Sequence, residues 1–429
     1  MNRDATIQLR HLFEIVSGST PESGIADYWD GDIAWVTPDD VSQVDGNVLR
    51  DTRRKLTADG FANSGTTMAC AGGIVLTKRA PIGQLALLGL DACSNQGCFL
   101  LSAREGIEPR FFYYVLANSV PLLQALGRGS TFMELSTDDL KALRVPVLAY
   151  DQQARIANYL DASVAKVDEL LQSKRGLLDI LAEKRKGIIA TAVTRGLDPK
   201  VKLRDSGVPW LGEIPAHWET ERARWLFRER DLRSTTGEEE MLTVSHLTGV
   251  TPRSEKDVNM FEAETNEGYK LCEPGDLVIN TLWAWMGAMG IAPVKGIVSP
   301  AYNVYEPGPR LTPAYIDALV RLPVFAQEVT RYSKGVWSSR LRLYPEGFFE
   351  VYLPVPPQEE QRAVVAHIAR ETAKLDAVRA ATERTIALLK ERRSALIAAA
   401  VTGQLNVRAA ALHACRSARI FFAGPASAR

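Results

Sequence analysis

Residues 181–197 read LAEKRKGIIATAVTRGL, and residues 389–405, 208 positions further along the chain, read LKERRSALIAAAVTGQL. Extended upstream, residues 145–197 align with residues 353–405 without a gap, and 15 of these 53 positions are identical. Chance at ordinary residue frequencies would give about three or four identities. The chain therefore contains an internal duplication, which is the first feature to establish in a new sequence.

Both copies of the repeat are predicted to be long helices. The first, 151–196, contains no proline and ends at Gly196, and the second, 357–405, stops at Gly403. Glycine commonly follows the last helical turn because it tolerates a left-handed backbone. At ~1.5 Å per residue, helices of this length reach about 65–70 Å, which is too long for one ordinary core to enclose.

Apolar residues recur along both helices at alternating four- and three-residue intervals, the spacing of a coiled-coil seam. Polar residues such as Arg185, Thr372 and Thr382 interrupt the seam, so neither helix is expected to be stable alone in water. We expect the two seams to bury each other. If a two-fold axis relates the copies, the helices run antiparallel. The seam residues are Leu160, Val167, Leu178, Leu181, Leu375 and Leu389.

The regions outside the helices are predicted to be two mixed α/β domains, which makes the chain an α+β protein with a pseudo-two-fold internal repeat. These regions, 1–150 and 207–356, share little sequence. Each has a β-prone run, 73–77 (GIVLT) or 275–280 (GDLVIN), and a short helix, 109–118 or 313–321. Residues 197–206 are a polar linker. The tail 406–429, with four arginines and no acidic residue, is predicted to be disordered.

Composition and charge leave the function open. The 429 residues suggest two to four domains, and 46% apolar with 24% charged residues excludes a wholly disordered or collagen-like chain. The 51 basic and 51 acidic residues cancel. Residues 1–150 carry 13 basic and 17 acidic groups, and residues 206–350 carry 15 and 20. Any contact of these domains with DNA would therefore come from local basic patches.

The five cysteines and the apolar runs indicate a soluble cytoplasmic protein. The cysteines are scattered without a C-x-x-C pair, which suits a reducing compartment, and Cys93 with Cys98 makes a poor metal site. No apolar run is long enough for a membrane span, and the N-terminus does not read as a signal peptide.

Motifs of a self-sufficient enzyme are absent from the sequence. It contains neither a G-x-G-x-x-G nor a P-loop nucleotide cradle, no H-E-x-x-H and no G-x-S-x-G. The Asp/Asn-Pro-Pro-aromatic motif of adenine methyltransferases is also absent, because the sole Pro-Pro pair follows Val355. We therefore assign no catalytic residue, no metal and no cofactor to this chain.

Several short motifs resemble those of the specificity subunit of Type I restriction–modification systems. In the first half they are 31–40 (GDIAWVTPDD), 79–83 (RAPIG), 94–97 (SNQG) and 129–132 (GSTF). In the second half they are 205–218 (DSGVPWLGEIPAHW), 275–280, 296–302 (GIVSPAY) and 356–361 (PPQEEQ). The resemblance covers about residues 1–405. The first copy has Ala149 and Tyr150 where the family usually has Pro-Pro, which predicts a looser start of the first helix.

The resemblance implies a non-catalytic DNA-binding subunit with two target-recognition domains, 1–150 and 207–356. Each would read one half of a bipartite, asymmetric site on double-stranded DNA through the major groove, where all four base pairs differ. The helices would set the spacing between the halves and dock two methyltransferase subunits. Two motor–nuclease subunits would complete a restriction enzyme. S-adenosylmethionine, ATP and Mg would then belong to these partners.

The residues expected to contact DNA combine cations, hydroxyls and one aromatic ring. Guanidinium groups fit guanine O6 and N7, and hydroxyls fit phosphates. The alternative is that these are solvated loop residues, or that Arg79 is structural, because a motif shared by proteins with different targets cannot easily read bases. The candidates are Lys78, Arg79, Arg128, Ser130, Thr131, Lys334, Trp337, Ser338, Ser339, Arg340 and Arg342.

Two further groups of residues have less specific roles. Five tryptophans are expected in cores rather than against bases: Trp35, Trp210, Trp218, Trp283 and Trp285. Four cations on the polar helix faces are expected to meet partner subunits or the DNA backbone: Lys184, Arg185, Arg392 and Arg393.

Two other functions stay open at this point. The first is a coiled-coil scaffold that holds two protein-binding domains apart without nucleic acid, which the zero net charge mildly favours. The second is a methyltransferase in its own right, which would have to bind S-adenosylmethionine as an isolated chain.

Overall fold

A computed structural model describes residues 5–79, 81–129, 133–255, 265–335, 341–405 and 407. The chain divides into two compact units: unit 1 contains Met1–Arg175 and Glu383–Arg429, and unit 2 contains Gly176–Thr382. The basic tail 406–429 lies outside the described residues except for Val407. The division into units differs from the predicted domain boundaries, because each unit includes one part of each long helix.

Unit 1 contains a five-stranded sheet of order β2-β9-β6-β7-β4, a three-stranded sheet of order β5-β3-β8 and the antiparallel pair β1-β10. Its strands are β1 (Thr6–Gln8), β2 (Phe13–Ser17), β3 (Trp29–Val36), β4 (Val48–Leu49), β5 (Lys55–Leu56), β6 (Ile74–Thr77), β7 (Leu85–Leu88), β8 (Ala92–Ser94), β9 (Cys98–Ala103) and β10 (Arg144–Pro146). Its short helices are α1 (Pro38–Ser42), α2 (Ala58–Ala62), α3 (Pro109–Asn118), α4 (Val120–Leu126) and α5 (Thr137–Ala142).

The largest core of unit 1 lies between the five-stranded sheet, α3 and parts of both long helices. Its buried aromatic residues include Phe13, Phe99 and Phe111. The helix residues that join this core are Ile156, Ala157, Leu160, Val164, Ile397, Ala400 and Val401. The beginning of the first long helix and the end of the second therefore belong to the same core.

Unit 2 contains a four-stranded sheet of order β14-β21-β18-β19 and the pairs β11-β12, β13-β22, β15-β16 and β17-β20. Its strands are β11 (Leu203–Asp205), β12 (Glu213–Pro215), β13 (Glu219–Arg222), β14 (Phe227–Glu229), β15 (Leu242–Ser245), β16 (Gly249–Pro252), β17 (Lys270–Cys272), β18 (Leu277–Asn280), β19 (Met289–Ile291), β20 (Gly296–Val298), β21 (Tyr302–Pro307) and β22 (Tyr352–Val355). Its short helices are α7 (Ala223–Leu226), α8 (Pro313–Val320), α9 (Pro323–Arg331) and α10 (Pro345–Phe348).

The core of unit 2 is built in the same way from the opposite helix ends. Ala192 and Val193, near the end of the first long helix, share it with Val364, near the start of the second. The hydroxyl of the fully buried Tyr315 donates a hydrogen bond of 2.7 Å to the carbonyl oxygen of Val193. Trp218 packs beside Gly196 and donates from its indole nitrogen to Glu360 at 2.8 Å. The 205–218 motif thus has a structural role at a helix end.

The two long helices are α6 (Tyr150–Arg195, 46 residues) and α11 (Gln358–Val401, 44 residues). The glycines predicted to end them, Gly196 and Gly403, have left-handed φ values of 76° and 72°. Both helices begin at positions 208 apart, so Ala149 and Tyr150 do not shift the start of the first helix. Within the described part of the chain, no helix is both long enough and apolar enough to cross a membrane.

A buried glutamine performs the same task at the start of each long helix. In unit 1, Gln153 accepts from the backbone N–H of Glu108 at 2.9 Å and donates to the carbonyl of Leu148 at 2.8 Å. In unit 2, Gln361 accepts from the N–H of Thr312 at 2.7 Å and donates to the carbonyl of Pro356 at 2.8 Å. Because Glu108 and Thr312 precede α3 and α8, each glutamine ties its long helix to the short helix of its own unit.

Candidate nucleic-acid interface

In unit 1, a backbone bridge joins Arg128 to Glu134, close to Lys78. Arg128 and Glu134, on either side of residues 129–133, exchange two backbone hydrogen bonds of 3.0 Å. The N–H of Leu135 then donates to the carbonyl oxygen of Lys78 at 3.0 Å, just after the end of β6. The structure therefore brings Lys78 and Arg128 together from sequence positions 50 residues apart.

Unit 2 repeats this arrangement with different residues. Lys334 and Arg342 exchange two backbone hydrogen bonds of 2.9 Å, and the N–H of Leu343 donates to the carbonyl oxygen of Thr281 at 3.1 Å, just after β18. Leu135 and Leu343 are 208 residues apart, the offset of the helical repeat. Five residues lie between the bridging residues in unit 1 and seven in unit 2. The two units thus share a framework and differ in the segment it holds.

A second loop lies beside this segment in each unit. The turn after β6 reaches Gly83, with φ of 97°, where a Cβ atom would meet the Val120 side chain of α4 at 2.9 Å. The turn after β18 reaches Gly287, with φ of 87°, where a Cβ atom would contact Ala326 of α9 at 3.7 Å. Glycine suits the left-handed backbone at both positions. Residues 78–83 and 281–287 are therefore equivalent loops.

The cations of unit 1 differ in how free they are to contact a ligand. Lys78 is engaged, because its Nζ lies 2.8 Å from Glu134 Oε1 and 5.4 Å from the centroid of the Phe99 ring. The side chain of Arg128 is 79% exposed and lies 3.3 Å from Asp139. Arg79 is half-buried, and its guanidinium has no hydrogen bond or ion pair among the described residues. Arg79 and Arg128 are thus the more available candidates.

The cations of unit 2 show a similar division. Lys334 is exposed, with its Nζ 2.9 Å from Glu346 and 5.9 Å from the centroid of the Tyr344 ring. Arg342 is exposed, and within the described residues its guanidinium has no partner. The other predicted DNA-binding residues lie outside the described residues: Ser130, Thr131, Trp337, Ser338, Ser339 and Arg340.

The prediction that all five tryptophans lie in cores is wrong for Trp283. Trp35 and Trp218 are buried as predicted, while Trp210 and Trp285 are half-buried. The Trp283 side chain is 49% exposed and stacks on Trp285, with ring centroids 6.3 Å apart and ring planes 16° apart. Sequence reasoning missed it because tryptophan is usually an interior residue. The available signal was its place after a strand end, just before the Gly287 turn.

Two of the four helix cations form ion pairs within their own unit. In unit 1, Arg393 Nε lies 2.9 Å from Asp168 Oδ1, and in unit 2, Arg185 Nη1 lies 2.6 Å from Asp376 Oδ1. Lys184 and Arg392 are exposed. The polar interruptions Thr372 and Thr382 are buried, with their hydroxyls bonded to helix carbonyls.

Burial of the predicted seam residues falls toward the middle of the helices. Leu160 and Val167 are buried, and the other four seam residues are half-buried: Leu178, Leu181, Leu375 and Leu389. All six are at least partly covered, although none of those four is fully enclosed.

The described cysteines are unsuited to nucleophilic chemistry near neutral pH, with the exception of the exposed Cys70. Burial raises the pKa of Cys93 to about 11 and that of Cys272 to about 12, and it raises the pKa of Cys98 further. A thiolate, not a thiol, is the nucleophile and metal ligand. In the described residues no group of three or more metal-ligating side chains is found.

Residues 5–176 match the family model of the Type I restriction modification DNA specificity domain. We call this stretch, about two fifths of the chain, the specificity domain. The match coincides with the chain-initial part of unit 1, and it confirms the predicted relation to the specificity subunits of Type I restriction–modification systems. The specificity domain therefore carries Arg79, Arg128 and the bridged segment between Arg128 and Glu134.

Curated relatives of the specificity domain have the same description. The chain is 30% identical over 176 residues to the Type I restriction enzyme MjaIX specificity subunit of Methanocaldococcus jannaschii, a stretch that covers 41% of this chain and 40% of that protein. It is 22% identical over 441 residues to the Type I restriction enzyme EcoBI specificity subunit of Escherichia coli, covering 95% of this chain and 82% of that protein. The chain thus spans under half of the first relative's length and most of the second's.

Solved structures extend the likeness of fold beyond the specificity domain. A chain from a type I R-M system structure that addresses complex assembly and conformational transition has a TM-score of 0.65 at 20% identity, covering 94% of this chain and 98% of that one. The HsdS subunit from Thermoanaerobacter tengcongensis has a TM-score of 0.52 at 18% identity, covering 94% and 97%. At these identities the likeness concerns the fold.

Proposed function

We propose that the chain is the DNA sequence-recognition subunit of a Type I restriction–modification complex and performs no catalysis itself. The observation that carries the proposal is the framework shared by the two units: a backbone bridge anchored beside a strand end, Arg128–Glu134 in one unit and Lys334–Arg342 in the other. A constant framework with different residues between the bridge points is suited to reading two different base sequences.

Each unit is proposed to read one half of a bipartite, asymmetric site through the major groove. Arg79 and Arg342, the guanidinium groups without a described partner, are the proposed base readers, because the guanidinium fork matches guanine O6 and N7. Arg128 and Lys334, each near one carboxylate, are proposed to contact phosphates, which fix position without reading sequence. Ser130, Thr131, Trp337, Ser338, Ser339 and Arg340 stay candidates on sequence grounds.

The long helices α6 and α11 are proposed to pair antiparallel and set the number of unread base pairs between the half-sites. Two contacts support this: Asp168 with Arg393, and Arg185 with Asp376. In both, the aspartate lies in the first half of its helix and the arginine in the second half of the other helix. As a test, removing equivalent whole turns from both helices should shorten the preferred gap and keep both half-sites. Loss of a half-site preference would contradict this role.

The helices are also proposed to dock two methyltransferase subunits. Among the described residues, five large apolar or aromatic side chains on the helices are exposed, and four of them fall into two pairs related by the 208-residue repeat: Leu170 (50% exposed) with Val378 (46%), and Ile180 (65%) with Leu388 (65%). The fifth, Tyr150, has Gln358 at the equivalent position. Leu170 and Leu388 belong to unit 1, and Ile180 and Val378 to unit 2. Exposed apolar residues that recur at duplicated positions suit two copies of one partner.

The partners are proposed to supply the chemistry. The methyltransferase subunits would use S-adenosylmethionine, and two motor–nuclease subunits with ATP and Mg would add restriction, in the cytoplasm. Mapping methylated adenines in a host with and without this gene, beside its methyltransferase, tests the proposal. We expect one bipartite, asymmetric motif that depends on the gene. Unchanged methylation, or an uninterrupted motif, would contradict it.

The scaffold alternative is separated from DNA recognition by salt dependence. Phosphate contacts release counterions, so the affinity for DNA falls steeply as salt rises. We expect the chain with its methyltransferase partner to shift duplex DNA in a gel and to lose the shift between about 50 and 200 mM salt. A scaffold for proteins alone would give no shift at either concentration.

A further inference from the structure

Trp283 occupies the loop of unit 2 that corresponds to a cationic loop in the specificity domain. The carbonyl oxygens of Lys78 and Thr281 accept equivalent hydrogen bonds from Leu135 and Leu343, and the two loops end at Gly83 and Gly287. In unit 1 this loop carries Lys78 and Arg79. In unit 2 it carries Leu282, Trp283, Ala284 and Trp285. The same place therefore carries charge in one unit and aromatic rings in the other.

The local structure holds the Trp283 ring against Trp285 and leaves it partly exposed. Its neighbour Trp285 is half-buried, and the Trp285 indole nitrogen donates to the carbonyl oxygen of Leu282 at 3.0 Å. Trp283 stacks on that fixed ring and keeps 49% of its surface exposed. An aromatic side chain held in this way loses little conformational entropy when it binds a partner, since two dihedral angles describe it.

The exposed ring lies beside a cationic segment. The backbone bond from Leu343 to Thr281 places the Lys334–Arg342 bridge next to the loop that carries Trp283. Arg342 is exposed and unpaired among the described residues, and Tyr344, which follows Leu343, is 40% exposed. Cations beside aromatic rings suit a DNA duplex, in which phosphates flank a groove that exposes base edges, including thymine methyl groups.

We propose that Trp283 is a specificity-determining residue that packs on a thymine methyl group in the half-site read by unit 2. An apolar side chain in the major groove distinguishes base pairs mainly through that methyl group, since the other groove-edge groups are hydrogen-bond donors and acceptors. This inference rests on the proposed function. It adds that one position of the unit 2 half-site is an A·T pair read by an apolar contact.

Selection from a pool of randomised duplex DNA tests the inference, with the full chain and its methyltransferase partner. Wild type should select a bipartite motif that contains an A·T pair in the half-site of unit 2. In Trp283→Ala the preference for that pair over other base pairs should fall about fourfold, which corresponds to the burial of one methyl group. Trp283→Phe should keep the preference. Trp225→Ala is the matched control, because Trp225 is in the same unit and is 72% exposed. It should select the wild-type motif.

Photocrosslinking of the unmodified protein gives a second readout that does not depend on a variant folding. Each thymine of the selected motif is replaced in turn by 5-iodouracil, whose iodine occupies the methyl position. We expect one position to crosslink to Trp283, located by mass spectrometry. Three results would overturn this inference and leave the proposed function intact. They are an unchanged motif in Trp283→Ala, uniformly weaker binding without a changed base preference, and crosslinks only at other residues. If wild type selects no motif, the proposed function fails as well.

Discussion

Asp168 and Arg393 form an ion pair, with Oδ1 and Nε 2.9 Å apart, and the residues 208 positions from each form another, with the partners exchanged. The second pair is Asp376 with Arg185, at 2.6 Å. An acid from one helix meets a base from the other in both cases. The pairing recurs at the 208-residue offset, so each unit joins its parts of the two long helices through one aspartate and one arginine.

Reversing one charge of such a pair should destabilise the chain, and reversing both should restore it. We expect Asp168→Arg to lower the melting temperature, because two cations then face each other, and Arg393→Asp in the same chain to recover most of the loss. The pair is partly exposed, so its contribution is about 0.2–1 kcal/mol. Calorimetry of the two single variants and the double variant measures this coupling. The double variant Asp168→Arg with Asp376→Arg should not regain the wild-type melting temperature, because neither arginine then faces an acid. A regained melting temperature in that variant would contradict the pairing.

The two buried glutamines should contribute more to stability than either of the two helix ion pairs, which are partly exposed. Gln361→Leu leaves the N–H of Thr312 and the carbonyls of Arg310 and Pro356 without their partner, at about 1–3 kcal/mol for a buried group left unsatisfied. Gln153→Leu should be somewhat milder, because Gln153 makes two such bonds.

Thermal unfolding of these variants is compared with that of matched controls on exposed helix positions. Gln327→Leu serves for unit 2 and Gln172→Leu for unit 1, since both side chains are exposed. Equal stability of Gln361→Leu and Gln327→Leu would show that the bonds to the short helices are not needed.

Arg128→Ala should weaken DNA binding at every sequence and leave the selected motif unchanged. The expectation follows from its proposed phosphate contact, which would contribute about 0.9 to the slope of log affinity against log salt concentration. Binding is measured by fluorescence anisotropy at several salt concentrations. Arg104→Ala, an exposed arginine of the same unit, is the control and should keep the wild-type slope. A changed motif in Arg128→Ala would instead make Arg128 a base reader.

Cysteine alkylation tests the burial of the sheets. In the native chain at pH 8, iodoacetamide should modify Cys70, which is exposed, and spare Cys93 and Cys272. Burial raises the pKa of the last two to about 11 and 12, so few of these thiols are ionised at that pH. Mass spectrometry of native and urea-unfolded samples compares the three sites. Rapid modification of Cys93 in the native chain would contradict its place in unit 1.

The elements with strong local signals could be predicted from the sequence. The ends of the long helices are signalled by Gly196 and Gly403, because glycine commonly follows the last helical turn. The short helix from Pro109 to Asn118 begins with a proline, which is favourable in the first turn. The partner exchange between the aspartates and arginines was implicit in the 208-residue offset. Only the structure shows that Thr372 and Thr382 are buried, because a threonine hydroxyl can bond to its own helix and leave its methyl group to pack.

The candidate interface was predicted less completely. Lys78 was chosen for its charge, but its Nζ is held by Glu134, 56 residues away, and sequence alone does not reveal such a partner. Trp283 was assigned to the core for its apolar ring, although the turn before Gly287 leaves half of it exposed. Periodicity and composition encode neither the ion pair of Lys78 nor the exposure of Trp283.

The central claim is that two equivalent frameworks, each in its own unit, read two unlike half-sites. The most direct test replaces residues 213–355 with a second copy of residues 5–147, the stretch at the same offset, and maps methylated adenines in a host that carries the methyltransferase. We predict that the asymmetric motif becomes a symmetric one, with the first unit's half-site repeated in inverted orientation. An asymmetric motif identical to that of wild type would contradict the claim.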